Sequence, residues 1–153
     1  MQVADFASIS QLSGASQFRQ FRARCMEERK GLHLQMVEVV RAAKITGCPL
    51  YLQKHGTAAG VDGAIRDSGM GQPWRLRWRM AVQGNFKHVT WDEAQPMLKD
   101  LPVAVVRHLR QLNRRAEELN LVDALLQVSI ARIEKFLGMR GPGVDVSTAE
   151  LEA

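Results

Sequence analysis

Trp74-Arg75-Leu76-Arg77-Trp78-Arg79-Met80 alternates apolar and basic residues without a break. A period of two is the mark of a strand with two unlike faces. Trp74, Leu76, Trp78 and Met80 fall on one face, and Arg75, Arg77 and Arg79 on the other. Further on, Phe86-Lys87-His88-Val89-Thr90-Trp91 reads as a second strand, joined through Gln83-Gly84-Asn85. Together they predict a β-hairpin with a tryptophan-rich underside and a row of guanidinium groups above. At about 3.3–3.4 Å per residue the arginines repeat every ~6.5–7 Å. That spacing suits a phosphate backbone or an acidic protein surface. Lys87 is expected to extend the same cationic face.

Long helices flank the hairpin. Phe18, Phe21, Cys25, Leu32, Met36, Val39 and Ala43 recur at helical spacing and predict an amphipathic helix from about Ser16 to Thr46. Arg29 interrupts that stripe, and Gly47 followed by Pro49 supplies the stop. Pro49-Leu50-Tyr51-Leu52-Gln53 fits a short strand or one to two turns of helix. Five glycines between Gly56 and Gly71 predict a long irregular connection. After the hairpin, Thr90 and Glu93 match a capping box, opening a short helix to about Lys99 that Pro96 interrupts or begins. From Val105 through Leu109, Leu112, Ala116, Leu119, Val122, Leu126, Ile130 and Ile133 to Leu137 the apolar residues step by three and four. This is the strongest helix signal. Asp100 or Leu101 is the expected cap, Pro102 sits in the first turn, Asn120 marks a bend and Gly138 closes the helix.

Two such stripes must cover each other. The predicted fold is mainly α in an α+β arrangement: two long antiparallel amphipathic helices plus a short helix, with one β-hairpin inserted between them. Residues 15–138 form the single domain, with the hairpin at about 74–91. Residues 1–14 read as a flexible N-terminus with Phe6 and Leu12 as anchors. Residues 139–153, with Gly-Pro-Gly and acidic side chains, read as a disordered tail.

The chain has 153 residues, enough to bury a core as one domain. Its net charge is +5, and residues 139–153 carry −2 of that balance, so the rest carries +7. A basic domain favours polyanionic partners. Cys25 and Cys48 are too few for a disulfide framework, and Cys25 falls on the apolar side of its helix as a small hydrophobe. No apolar run approaches the roughly 20 residues that span a bilayer, and no signal peptide is visible. A cytoplasmic protein without a membrane partner is expected.

Candidate sites follow from charge more than from catalytic chemistry. Arginine forms bidentate bonds to phosphate and carboxylate, so Arg75, Arg77, Arg79 and Lys87 are the first candidate surface. The other reading of those arginines is a solvated face, paired with Glu117 and Glu118. Arg107, Arg110 and Arg114 share a helix face with nothing acidic between Val103 and Ala116, and form the second candidate. Arg19, Arg22 and Arg24 add to the basic count of the first helix. Trp74 and Trp78 fit the core best, as large aromatics usually do, with outward stacking on bases as the alternative. The glycine-rich connection lacks the phosphate-loop pattern GxxxxGK[ST] and any GxGxxG. His33, His55, His88 and His108 have no partner at metal-ligand spacing, Asp62 and Asp67 fit turn chemistry, and Ser68 lies in no nucleophile elbow. No enzyme, cofactor or metal is expected.

Ala58-Ala59-Gly60, Leu76-Arg77-Trp78-Arg79, Trp91 and Leu119-Asn120-Leu121 together resemble a proteobacterial family encoded on integrative and conjugative elements, sometimes labelled "integrase regulator R". The resemblance covers roughly residues 30–138, and this chain carries extra residues between Gly60 and the tetrapeptide. That family has no assigned activity or site residues to carry over. It implies a mobile-element accessory protein acting on DNA or on a DNA-processing complex. The expected function is therefore a non-enzymatic accessory or regulatory protein that binds nucleic acid by phosphate contacts. The alternative is a protein-interaction module that modulates a host or element-encoded complex through the same arginines. The oligomeric state is left open.

Overall fold

The computed structural model describes residues 9–55 and 75–139. The readings of Trp74, the glycine-rich connection, residues 1–8 and the tail from residue 140 lie outside the described residues. In chain order the elements are α1 (Gly14–Ala42), β1 (Leu50–His55), β2 (Arg75–Val82), β3 (Asn85–Val89), α2 (Trp91–Ala94), a 3-10 turn (Gln95–Leu98) and α3 (Val103–Phe136). The fold is α+β and mainly helical, as expected. The two long helices run antiparallel: Phe18 meets Phe136, Arg22 meets Glu134, Arg29 meets Asp123, and His108 reaches the Ala42 carbonyl.

The ambiguous segment after α1 is a strand, so the hairpin is widened into a three-stranded antiparallel sheet of order β1-β2-β3. Leu50 lies opposite Met80 and Leu52 opposite Trp78. These four are buried with Leu76 against the helices. The expected alternation along β2 therefore holds, with its apolar face in the core. Val82 and Asn85 close the hairpin around Gln83 (φ 48°) and Gly84 (φ 79°). Two positive φ values make the type I′ turn that suits the twist of paired strands.

Helix ends differ from expectation by a few residues. α1 stops at Ala42, not Thr46, because the chain must reverse into β1. Gly47 (φ 80°) makes that reversal instead of ending the helix directly. Pro102 itself is the N-cap of α3, in place of Asp100 or Leu101, and its carbonyl accepts from Val106 N at 3.1 Å. At the other end Gly138 (φ 66°) closes α3, with Met139 N bonded to Glu134 O and Gly138 N to Lys135 O. That is a Schellman ending. Thr90 and Glu93 form the expected reciprocal capping box. Leu12, the expected anchor, packs against the core.

Asn120, within the continuous α3, has a task that the sequence does not show. β3 ends at Val89, opposite Trp78. Two residues further along this register, Leu76 would need residue 91 as its neighbour, but there the chain is already helical. Asn120 fills the gap: its Oδ1 accepts from Leu76 N at 2.7 Å and its Nδ2 donates to Leu76 O at 3.1 Å. One side chain thus stands in for a strand residue and ties α3 to the sheet. Trp78 makes a second tie, donating Nε1–H to Asn113 Oδ1 at 2.8 Å while its ring packs on Trp91.

Candidate nucleic-acid interface

Cross-strand partners share a face of the sheet. Arg75, Arg77 and Arg79 lie opposite His55, Gln53 and Tyr51 of β1, and Arg79 lies opposite His88 of β3. Phe86, opposite Ala81, belongs to the same face. The inner face packs on the helices, so this outer face points away from them. The three strands contain no carboxylate. Among the described residues neither Arg75 nor Arg77 has an ion pair or hydrogen bond from its side chain.

Arg79 is held differently. Its Nη1 donates to Gln53 Oε1 at 2.8 Å and its Nη2 to the Phe86 carbonyl at 2.9 Å. Its guanidinium carbon sits 6.0 Å from the centre of the Phe86 ring, within cation–π reach. Tyr51 meets the same ring edge-on, with centroids 5.9 Å apart. Arg79 therefore braces all three strands and orients the aromatic pair. Its remaining capacity for an external anion is smaller than that of Arg75 and Arg77.

The register removes Lys87 from this face. Lys87 pairs with Met80, so it leaves β3 on the side that packs against the helices, exposed at the sheet margin. Loop length decides this: the connection is Gln83-Gly84 alone, whereas the expected three-residue loop Gln83-Gly84-Asn85 would set Lys87 opposite Ala81 on the outer face. His88 takes its place beside Arg79, with Nδ1 donating to the Trp78 carbonyl at 2.9 Å. Trp78 is core, so it offers no stacking surface.

Arg107, Arg110 and Arg114 are exposed on the side of α3 turned away from the core. They do not merge with the sheet arginines, because the helix body and the inner sheet face lie between the two rows. Glu118 draws on this basic group, with Arg114 Nε at 3.4 Å and Arg115 Nη1 at 3.3 Å. Glu117 accepts from Asn113. Neither acid pairs with the hairpin arginines. In α1, Arg22 is spent on Glu134 at 2.6 Å, a pair between the long helices.

The sequence also hides a polar centre between α1 and α3. Arg29, the residue that interrupts the α1 stripe, donates Nε to Asp123 Oδ1 at 2.8 Å and Nη2 to Oδ2 at 3.3 Å. His33 Nε2 lies 3.0 Å from the same Oδ1. All three residues are buried. Burial alone pushes the Asp123 carboxyl up, but the hydrogen bonds and charges of His33 and Arg29 outweigh it and hold the group below its usual value. The carboxylate therefore accepts, and His33 donates to it from Nε2. Burial lowers the Lys54 ammonium from its ordinary value, with Asp123 opposing that shift and Arg29 adding to it, so Lys54 belongs to this group. Cys25 is buried as expected, and desolvation pushes its thiol up to about 11, which makes it inert near neutral pH.

No cluster of three or more metal-ligating side chains occurs among the described residues, and no helix among them is long and apolar enough to cross a membrane. No protein-family model, curated protein or solved structure matches the chain.

Proposed function

We propose that this chain is a non-enzymatic accessory protein that binds nucleic acid through the outer face of its sheet. The observation that carries the reading is the pair Arg75 and Arg77, which have no acidic partner among the described residues and belong to a sheet whose three strands hold no carboxylate. Such guanidinium groups keep their full donor capacity for phosphate. Phe86, 60% exposed, and Tyr51 set aromatic rings on the same face at Arg79, further along the strand. Arginines that follow a backbone and rings that stack on bases suit a single strand, whose bases are free to splay. The resemblance to proteins of integrative and conjugative elements supports a regulatory setting near DNA processing in the cytoplasm.

The test is affinity for a labelled single strand and for the matching duplex across a salt series. Wild type is compared with R75Q/R77Q, with circular dichroism as the folding control. Phosphate contacts release counterions, so wild-type affinity falls as salt rises. The double variant binds more weakly, with a slope flatter by about 1.4 for a single strand or 1.8 for a duplex. Absence of wild-type binding even at low salt refutes the proposal and leaves an acidic protein surface as the partner for the same arginines.

A further inference from the structure

The outer side of α3 carries a feature that nucleic-acid binding at the sheet does not use. Leu121, Leu125 and Val128 are 61%, 48% and 58% exposed. Their spacing of four and three puts them on one helix face. The core of the chain occupies the opposite side of the helix, through Leu119, Leu126 and Ile130. Charge brackets the stripe unevenly. Glu117 and Glu118 lie one turn before it, Arg132 one turn and Lys135 two turns after it, all four exposed, with Glu118 also reached by Arg114 and Arg115 of its own helix.

We propose that this face is covered by the same face of a second copy, with the two α3 helices crossing antiparallel about Leu125. A two-fold contact must be complementary to itself. Glu118 and Arg132 lie seven residues on either side of Leu125, so an antiparallel crossing sets the acid of each copy against the base of the other. Leu125 then faces its own counterpart, and Leu121 lies opposite Ser129 of the second copy, next to its Val128. A parallel pairing sets acid on acid and base on base. From residue 118 to residue 132 the contact is about 21 Å long at 1.5 Å per residue. A patch of that size makes a dimer in exchange with monomer, not an obligate one. Each dimer carries two arginine-bearing sheet faces, which strengthens binding to a polyanion long enough to reach both.

Sedimentation velocity of the full chain over a concentration series is the direct test. Wild type shows a concentration-dependent monomer–dimer equilibrium. L125E weakens it at least about 100-fold, because like charges meet on the two-fold axis, with an unchanged dichroism spectrum. R132E also weakens it, and E118R/R132E recovers a large part of the loss, since the swap restores opposite charges only if the chain pairs with itself antiparallel. A short bis-maleimide links C48S/L125C into dimers but not C48S/V103C, whose new thiol lies on α3 outside the stripe. A chain that stays monomeric throughout the series overturns the proposal. So does a dimer that L125E leaves intact, or a monomer that dimerises only once residues 140–153 are removed, which would make that segment the occupant of the face.

Discussion

Asp123→Asn removes the one negative charge from the buried Arg29–His33–Asp123 centre. Asp123 is 0% exposed, and the Arg29 side chain that it binds is 10% exposed. Asparagine keeps the volume and one acceptor but deletes the charge. Where Oδ2 accepted from Arg29 Nη2 at 3.3 Å, an amide NH2 then faces a guanidinium, donor against donor. Arginine does not give up its proton. Arg29 therefore stays charged and buried, with Lys54 close enough to feel it and no longer balanced by Asp123. Breaking a buried pair from one side costs about 3–5 kcal/mol. In a chain of this length each kcal/mol moves the melting temperature by about 2–4 °C, so a drop on the order of 10 °C is expected. Differential scanning calorimetry and urea denaturation measure it. Replacing both partners, as in R29M/D123L, recovers most of the loss, because an apolar pair of similar volume needs no compensation. A loss below about 1 kcal/mol for D123N refutes the reasoning, since it would mean that water already shields Arg29.

Three further outcomes follow from the same geometry. The Asp123 carboxyl is held below its ordinary value, so its contribution is full above the unfolded-chain value near 3.9 and is lost as pH falls through the lower folded value. The stability difference between wild type and D123N therefore shrinks on acidification below about pH 4, as denaturant midpoints across a pH series would show. Asn120→Ala leaves the N–H and C=O of Leu76 without their partner and costs about 1–3 kcal/mol, and hydrogen exchange at the Leu76 amide accelerates in the folded state. Ile130→Ala, at a fully buried position of α3, costs about 2–5 kcal/mol by chemical denaturation; no loss there would remove Ile130 from the core.

How far the sequence carried depended on which interactions have a period. The apolar stripes of α1 and α3 and the alternation along β2 repeat at fixed intervals, so the long helices, the hairpin and the burial of Trp78 were legible. The capping box and Gly138 were legible because they satisfy backbone groups a few residues away. β1 stayed ambiguous because Leu50-Tyr51-Leu52 is too short for either period to decide. Only pairing with β2, across a long stretch of intervening chain, makes it a strand. The loss of Lys87 from the cationic face is the same problem in miniature. Composition says that Lys87 is basic, but the face it occupies depends on the length of the loop after β2. A loop one residue longer, not a shifted turn, would have moved Lys87 to the arginine face.

The polar centre at Asp123 is the informative omission. Arg29 stood out as a fault in one stripe, whereas Asp123 was hidden among neighbours that satisfy the stripe of α3. Taken separately, each is a charge in the wrong place. The antiparallel packing that the stripes themselves demand brings the two faults together, with Arg22 and Glu134 forming the second crossing. Both pairs join basic residues of α1 to acidic residues of α3, and each acid is buried. Sliding one helix by a turn would part both acids from their arginines. The buried charges therefore select one register among several that hydrophobic burial alone would tolerate. That register brings Asn113 and Asn120 under β2, and through them fixes the strand that carries Arg75, Arg77 and Arg79. The arrangement of the proposed binding face thus rests on a pair of charges that never reach its surface.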